Sequence, residues 1–192
     1  MNVLIVDNGT RHLGQLSELL EMHDVEILPR KTFLRANLAS FDVIILSGGN
    51  SVSVINHDRE YTEELALIRE GDLPIIGICL GLELIAHAFG ATLHRLESKE
   101  QGLVQLNALQ PHQILLGVSE LSVYEGHRWV VSRIKRPLVG IAASIDGYEI
   151  LMHETKPIFG FQFHPEMPAT HSSGAVLMRN CLEYVQSRKD SD

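Results

Sequence analysis

The chain has 192 residues, 45% hydrophobic and 21% charged, proportions that suit one globular domain with a real core. Its 24 acidic and 16 basic residues leave a formal net charge of -8, which argues against the clustered positive face that nucleic-acid binding needs. The only cysteines, Cys79 and Cys181, do not make a disulfide framework, so a reducing cytoplasm is the expected setting.

The N-terminal run Met1-Asn2-Val3-Leu4-Ile5-Val6-Asp7 has no basic leader and is too short for a signal or membrane helix. Residues 2–6 read as a strand. Residues 13–21 read as a helix with Leu13, Leu16, Leu19 and Leu20 on one face. Strands are expected at 25–28, 43–46 and 74–78, and helices at 60–70, closed by Gly71, and at 80–89, closed by Gly90. This rhythm predicts an α/β fold: a mainly parallel open sheet covered by helices on both faces. The second half adds strands at 103–109, 120–124, 138–142, 148–153 and 158–163, with Asp146-Gly147 as a hairpin-type turn. An amphipathic helix at 173–187 and a polar tail at 188–192 complete what reads as one domain over 1–192. The basic stretch 128–136, with Arg128, Arg133, Lys135 and Arg136, reads as a solvated loop or a docking surface for an acidic partner.

The chemistry centres on Gly77-Ile78-Cys79-Leu80-Gly81. A nucleophile at the tip of a tight strand-to-helix turn needs small residues two places either side, because larger side chains would collide there. Such a turn lifts the thiol above the carboxyl edge of the sheet. It also aims the following helix N-terminus at the reacting atoms, which is expected to stabilise an oxyanion and to lower the thiol pKa. The alternative is a buried structural cysteine with glycines kept for close packing. A thiol needs a base, and Phe161-Gln162-Phe163-His164-Pro165-Glu166 supplies His164 at the end of an expected strand, on the same edge as Cys79. Glu166 can orient the imidazole, which makes a Cys79–His164–Glu166 triad. Oxyanion donors are expected from Leu80 N–H and from Ser47-Gly48-Gly49-Asn50, where Gly48 and Gly49 let the backbone approach a ligand; a plain turn is the alternative there.

In their order along the chain these motifs resemble the class I (triad) glutamine amidotransferases. The likeness covers nearly the whole chain: Asp7-Asn8-Gly9, Ser47-Gly48-Gly49, the Cys79 elbow, the Gln162 to Glu166 string, and Leu177-Met178-Arg179-Asn180. Within the family it is nearest to the glutaminase part of GMP synthetase, through Asp7-Asn8-Gly9 and Lys99-Glu100-Gln101-Gly102. The resemblance implies a flavodoxin-like fold and hydrolysis of the glutamine side-chain amide through a Cys79 thioester. It also implies ammonia passed to a synthetase or synthase partner, with no cofactor, nucleic acid or membrane involved.

Three positions depart from the pattern. Glu83 stands where the family elbow usually has a glutamine that helps hold the substrate, which opens a second reading: hydrolysis of another γ-glutamyl or amide compound. Asn50 replaces a proline. The segment Gly126-His127-Arg128-Trp129 lacks the aspartate of the Ser-His-x-Asp signature that is associated with coupling to the synthetase. In relatives this segment lines the glutamine pocket, so His127 and Arg128 join Gly48, Gly49, Leu80 and Glu83 as candidate substrate-binding residues. Trp129 beside Arg128 reads either as a partner-docking pair or as core. A third reading, a catalytically weak regulatory module, is countered by the intact triad. The remaining histidines show no metal-ligand spacing with cysteine or carboxylate, so no metal is expected. Asp7-Asn8-Gly9 reads as a strand-to-helix turn, and Cys181 as a small core residue.

Overall fold

The computed structural model describes residues 1–35, 38–49 and 52–189; Asn50 of the expected turn and tail residues 190–192 lie outside the described residues. In chain order the first half is β1 (Asn2–Asp7), α1 (Leu13–Leu19), β2 (Asp24–Pro29), β3 (Val43–Leu46), α2 (Thr62–Glu70), β4 (Ile75–Ile78) and α3 (Leu80–Ala88). Then come β5 (Thr92–Arg95), β6 (Gly102–Gln105), β7 (Asn107–Ala108), β8 (Ser122–Glu125), β9 (Trp129–Arg133), β10 (Leu138–Ala143), β11 (Tyr148–His153), β12 (Ile158–Phe161) and α4 (Gly174–Lys189).

The main sheet runs β2-β1-β3-β4-β12-β11-β10-β7, with β9 joined to β11 and β5 to β9. The pairs from β2 through β12 are parallel, and those beyond β12 are antiparallel. The fold is therefore α/β with a mainly parallel core and antiparallel additions, as the alternation in the first half implies. Strands β3, β4 and β12 are buried at every residue, as apolar runs without polar alternation require when both sheet faces are covered. Alternation decides which layer each side chain serves. Val3 and Ile5 of β1 pack with Leu16 of α1 and Leu177 and Cys181 of α4 on one face. Leu4 and Val6 pack with Leu65 and Ile68 of α2 and Leu82 and Ile85 of α3 on the other. Cys181 is thus a core residue.

The second half departs from the sequence-based expectation in physically informative ways. The single strand expected at 103–109 is two, because Leu106 turns into the core and donates its N–H to Leu121 O at 2.7 Å. Upstream of it β6 pairs with β8 in a separate two-stranded sheet; downstream β7 joins the edge of the main one. Strand β5 has no counterpart among the expected elements, since Thr-Leu-His-Arg carries little apolar pattern and is mostly exposed. The stretch 128–136 is not a solvated loop: Trp129–Arg133 is β9, with Val130 and Val131 buried. Its cations mask a strand because they lie at its ends and exposed positions. Asp146-Gly147 does turn the chain between β10 and β11, where Ser144 N–H donates to Gly147 O at 2.9 Å. Among the described residues, no helix is long and apolar enough to cross a membrane.

One buried charge in the fold gives a clean test away from the site. Glu64 of α2 is 1% exposed, its Oε1 has no hydrogen-bond partner, and burial raises its pKa to about 7. Between the ordinary 4.5 and about 7 the folded chain holds a proton that the unfolded chain releases, so stability falls as pH rises through that window. Glu64→Gln removes the buried charge. Its melting temperature at pH 8 should exceed the wild type's by about 5 °C, with near equality at pH 5. Equal melting temperatures at both pH values would show that Glu64 carries no such charge.

Candidate active site

The elbow begins where β4 ends. Cys79 caps α3 with φ 50° and ψ -102°, a conformation rarely populated by residues with a side chain. The flanking glycines make it feasible. A Cβ on Gly77 would stand 2.4 Å from the Gly81 carbonyl carbon, and one on Gly81 would stand 2.2 Å from Leu46 O. Residues 77 and 81 thus pack backbone on backbone, and the turn presses α3 against β3.

His164 reaches the same sheet edge from the neighbouring strand. Strands β4 and β12 pair in parallel with Ile78 opposite Phe161, and Cys79 N–H extends the ladder by donating to Phe161 O at 2.7 Å. Three residues beyond β12, His164 N–H donates to Tyr124 O at 2.9 Å, which ties the loop to β8. Its Nδ1–H donates to Glu166 Oε1 at 2.8 Å, a short bond that leaves Nε2 as the free base. The ring is held from both sides by glycines. A Cβ on Gly48 would sit 3.1 Å from His164 Cε1 and 3.5 Å from Cys79 Cβ, and one on Gly126 would sit 3.4 Å from His164 Nε2. Cys79, His164 and Glu166 are 6%, 6% and 5% exposed.

The electrostatics differ from the sequence-based expectation at the thiol. Burial pushes the Cys79 pKa well above its usual range, the nearby Glu83, Glu125 and Glu166 carboxylates push it further, and only Leu80 N–H opposes them. The helix terminus is present, but desolvation outweighs it. The resting nucleophile is a thiol, so a general base must take its proton as the sulfur attacks.

Two cavities meet at Cys79, sharing Gly49, Lys99 and Gly126 as walls. One, of about 280 Å³, is lined by Leu80, Glu83, His127, Arg128 and Trp129. The other, of about 180 Å³, is lined by Arg11, His12, Gln101, Tyr124 and His164. The structure thus gathers Gly49, Leu80, Glu83, His127 and Arg128 around Cys79, while Gly48 packs against Cys79 and His164. Trp129 is both a cavity wall and the first residue of β9. Asp7-Asn8-Gly9 forms the expected turn, with Asp7 Oδ1 accepting from Gly9 N–H at 2.9 Å and Thr10 N–H at 3.1 Å. Buried Asn8 also joins the ends of β1 and β3, since its N–H donates to Ser47 Oγ at 2.9 Å.

Glu83 lies on α3 at 4% exposure, and burial raises its pKa to about 8 against the opposing effect of Gln162. Behind the wall lies a polar cluster. Glu125 Oε2 is 2.8 Å from His127 Nε2, and Ser144 Oγ donates to Glu149 Oε1 at 2.7 Å. Burial raises Glu125 to about 7 and pushes Glu149 up, while it pushes His127 down. Although the sequence spacing shows no metal-ligand set, ligand atoms of Glu125, His127 and Glu149 lie within 4.8 Å of one another. The Glu125–His127 separation is a hydrogen-bond length, so at neutral pH shared protons hold these groups together.

Sequence reasoning passes over His12. Its ring lies edge-on to His164 with centroids 5.3 Å apart, and burial, then His164, depress its pKa. No spacing identifies it, but the loop after β1 ends on the same sheet edge as Cys79, and that topology is the signal. Tyr124 and Gln101 enter the site likewise, through β8 and the loop before β6.

Comparisons with known proteins agree with this geometry. The family model described as glutamine amidotransferase class-I matches residues 4–184. The glutamine-hydrolyzing subunit of GMP synthase from Thermococcus kodakarensis is 35% identical over 186 residues, covering 94% of this chain and 97% of the relative. Its counterpart from Methanococcus maripaludis is 31% identical over 185 residues, covering 93% and 95%. A solved GMP synthase-like protein from Thermoplasma acidophilum superposes with a TM-score of 0.87 at 26% identity, covering 99% of this chain and 96% of that one. A glutamine amidotransferase from Thermotoga maritima, at 18% identity and a TM-score of 0.72, shares the fold; the match covers 100% of this chain and 84% of that one. With a family match over nearly its whole length and the α/β architecture of these relatives, the chain belongs to the class-I glutamine amidotransferases.

Proposed function

We propose that this chain, acting as one amidotransferase domain over 1–192, hydrolyses the side-chain amide of glutamine with Cys79 as nucleophile. The observation that carries the reading is the placement of Cys79 and His164 at the carboxyl ends of adjacent parallel strands, with Glu166 on Nδ1 of the imidazole at 2.8 Å. His164 Nε2 takes the thiol proton as sulfur attacks the amide carbon. Leu80 N–H, which reaches the sulfur, is also placed to donate to the oxyanion, and the free Gly48–Gly49 backbone supplies the second donor. His164 then gives the proton to the leaving nitrogen, and ammonia departs. Water, deprotonated by His164, releases glutamate from the thioester.

Since the relatives are glutamine-hydrolysing subunits of GMP synthase, we infer that the ammonia passes to a synthetase partner, with Trp129 where that coupling signature carries aspartate. Purified chain, assayed for ammonia from glutamine alone and with a candidate synthetase, tests this. Absence of ammonia in both arms would sink it.

Glu83 fits the same reading once its protonation is considered. Below about pH 8 it is a neutral carboxyl, with one donor and one acceptor in nearly the shape of a glutamine amide. Above that pH it ionises and repels the substrate carboxylate. The wild-type KM for glutamine should therefore rise about tenfold by pH 9, and Glu83→Gln should keep its pH 7 value. Parallel KM profiles for the two proteins would rule this role out.

A further inference from the structure

The two cavities at Cys79 divide a substrate into two halves. Leu80 and Glu83 line only the larger, so the acyl group and its oxyanion belong there. His164 lines only the smaller. The imidazole that protonates the leaving nitrogen must face it, so the leaving amine departs into the smaller cavity. That cavity measures about 180 Å³, whereas a molecule the size of water or ammonia occupies about 30 Å³. Its walls include Arg11, Lys99 and His12 and, among the described residues, no carboxylate, in a chain whose net charge is -8. A space of this size and sign suits an anionic group larger than ammonia.

We propose that Cys79 also cleaves γ-glutamyl amides whose leaving amine bears a carboxylate, the class of γ-glutamyl amino acids, with the leaving half held by the Arg11–His12–Lys99 cavity. This rests on the Cys79–His164 hydrolysis argued above and extends it to a second substrate class. Sulfur bonds to the γ-carbonyl carbon as the C–N bond breaks. The nitrogen takes the proton that His164 received from the thiol and leaves as a free amino acid. Water then adds to the thioester, its proton returns through His164 to the sulfur, and glutamate is released. No oxidant or other co-reactant is needed.

The cation rim predicts discrimination by the leaving group's charge. Glutamate release by the full chain is measured with γ-glutamylglycine, γ-glutamylethylamide and glutamine. The expected kcat/KM for γ-glutamylglycine is at least about tenfold above that for the neutral ethylamide, the size of one charge-assisted contact. Arg11→Met should bring the two within about threefold while leaving glutamine turnover unchanged. Cleavage of glutamine without γ-glutamylglycine, or equal rates on the two substituted amides, overturns the inference and leaves the glutaminase reading standing. No glutamate from any of the three overturns both.

Discussion

Cys79→Ala is expected to lower ammonia release from glutamine by roughly 10⁴-fold or more, the scale on which loss of a covalent nucleophile acts. The effect is large because the rest of the site cannot substitute for sulfur. His164 would be left with water as its only proton donor, and water would have to attack an amide rather than a thioester. The fold should survive. Alanine keeps the Cβ in the same strained turn at φ 50°, and only the thiol, 6% exposed with its residue, is lost. Turnover and melting temperature measured on one preparation separate the two effects. A folded variant with more than about a hundredth of wild-type activity would remove Cys79 from the mechanism.

Gly81→Ala should act on both readouts at once. The added Cβ would stand 2.2 Å from Leu46 O, and backbone of a buried strand cannot yield as a side-chain tip can. Relief requires α3 to move away from β3, which opens packing on the face shared by Leu46, Leu82 and Ile85. A loss of about 4 kcal/mol is the expected order, and displacement of the elbow by even about 1 Å should cost on the order of 10²-fold in kcat. Urea denaturation and steady-state assays would check both. Normal stability with normal turnover would mean that the elbow tolerates a side chain it has no room for.

The site is readable from the sequence to unequal depth. Gly77, Cys79 and Gly81 are legible because steric demand writes itself into spacing, and His164-Pro165-Glu166 because base and orienting carboxylate lie two residues apart. The thiol's protonation is not legible. The helix terminus suggests a lowered pKa, but the folded environment reverses it, since burial and three carboxylates from α3, β8 and the His164 loop converge on the sulfur. Glu83 looks like a departure in substrate recognition. Its burial makes it a neutral hydrogen-bonding group at pH 7, a state that depends on neighbours brought from other elements.

Periodicity by itself determined the parallel half of this protein, because strands buried on both faces must read as apolar runs and amphipathic helices must cover them. It also placed the nucleophile and base at strand ends. Only the tertiary structure decided that residues 103–109 split between two sheets, that the cation-flanked stretch after Arg128 is a strand, and that His12 faces His164. The same is true of the Glu125–His127–Glu149 cluster behind the cavity wall. These outcomes depend on contacts between distant segments, and local pattern cannot encode which partner wins. What the fold adds to Cys79 is a second cavity on the side of its base, lined with cations from loops that are remote in sequence.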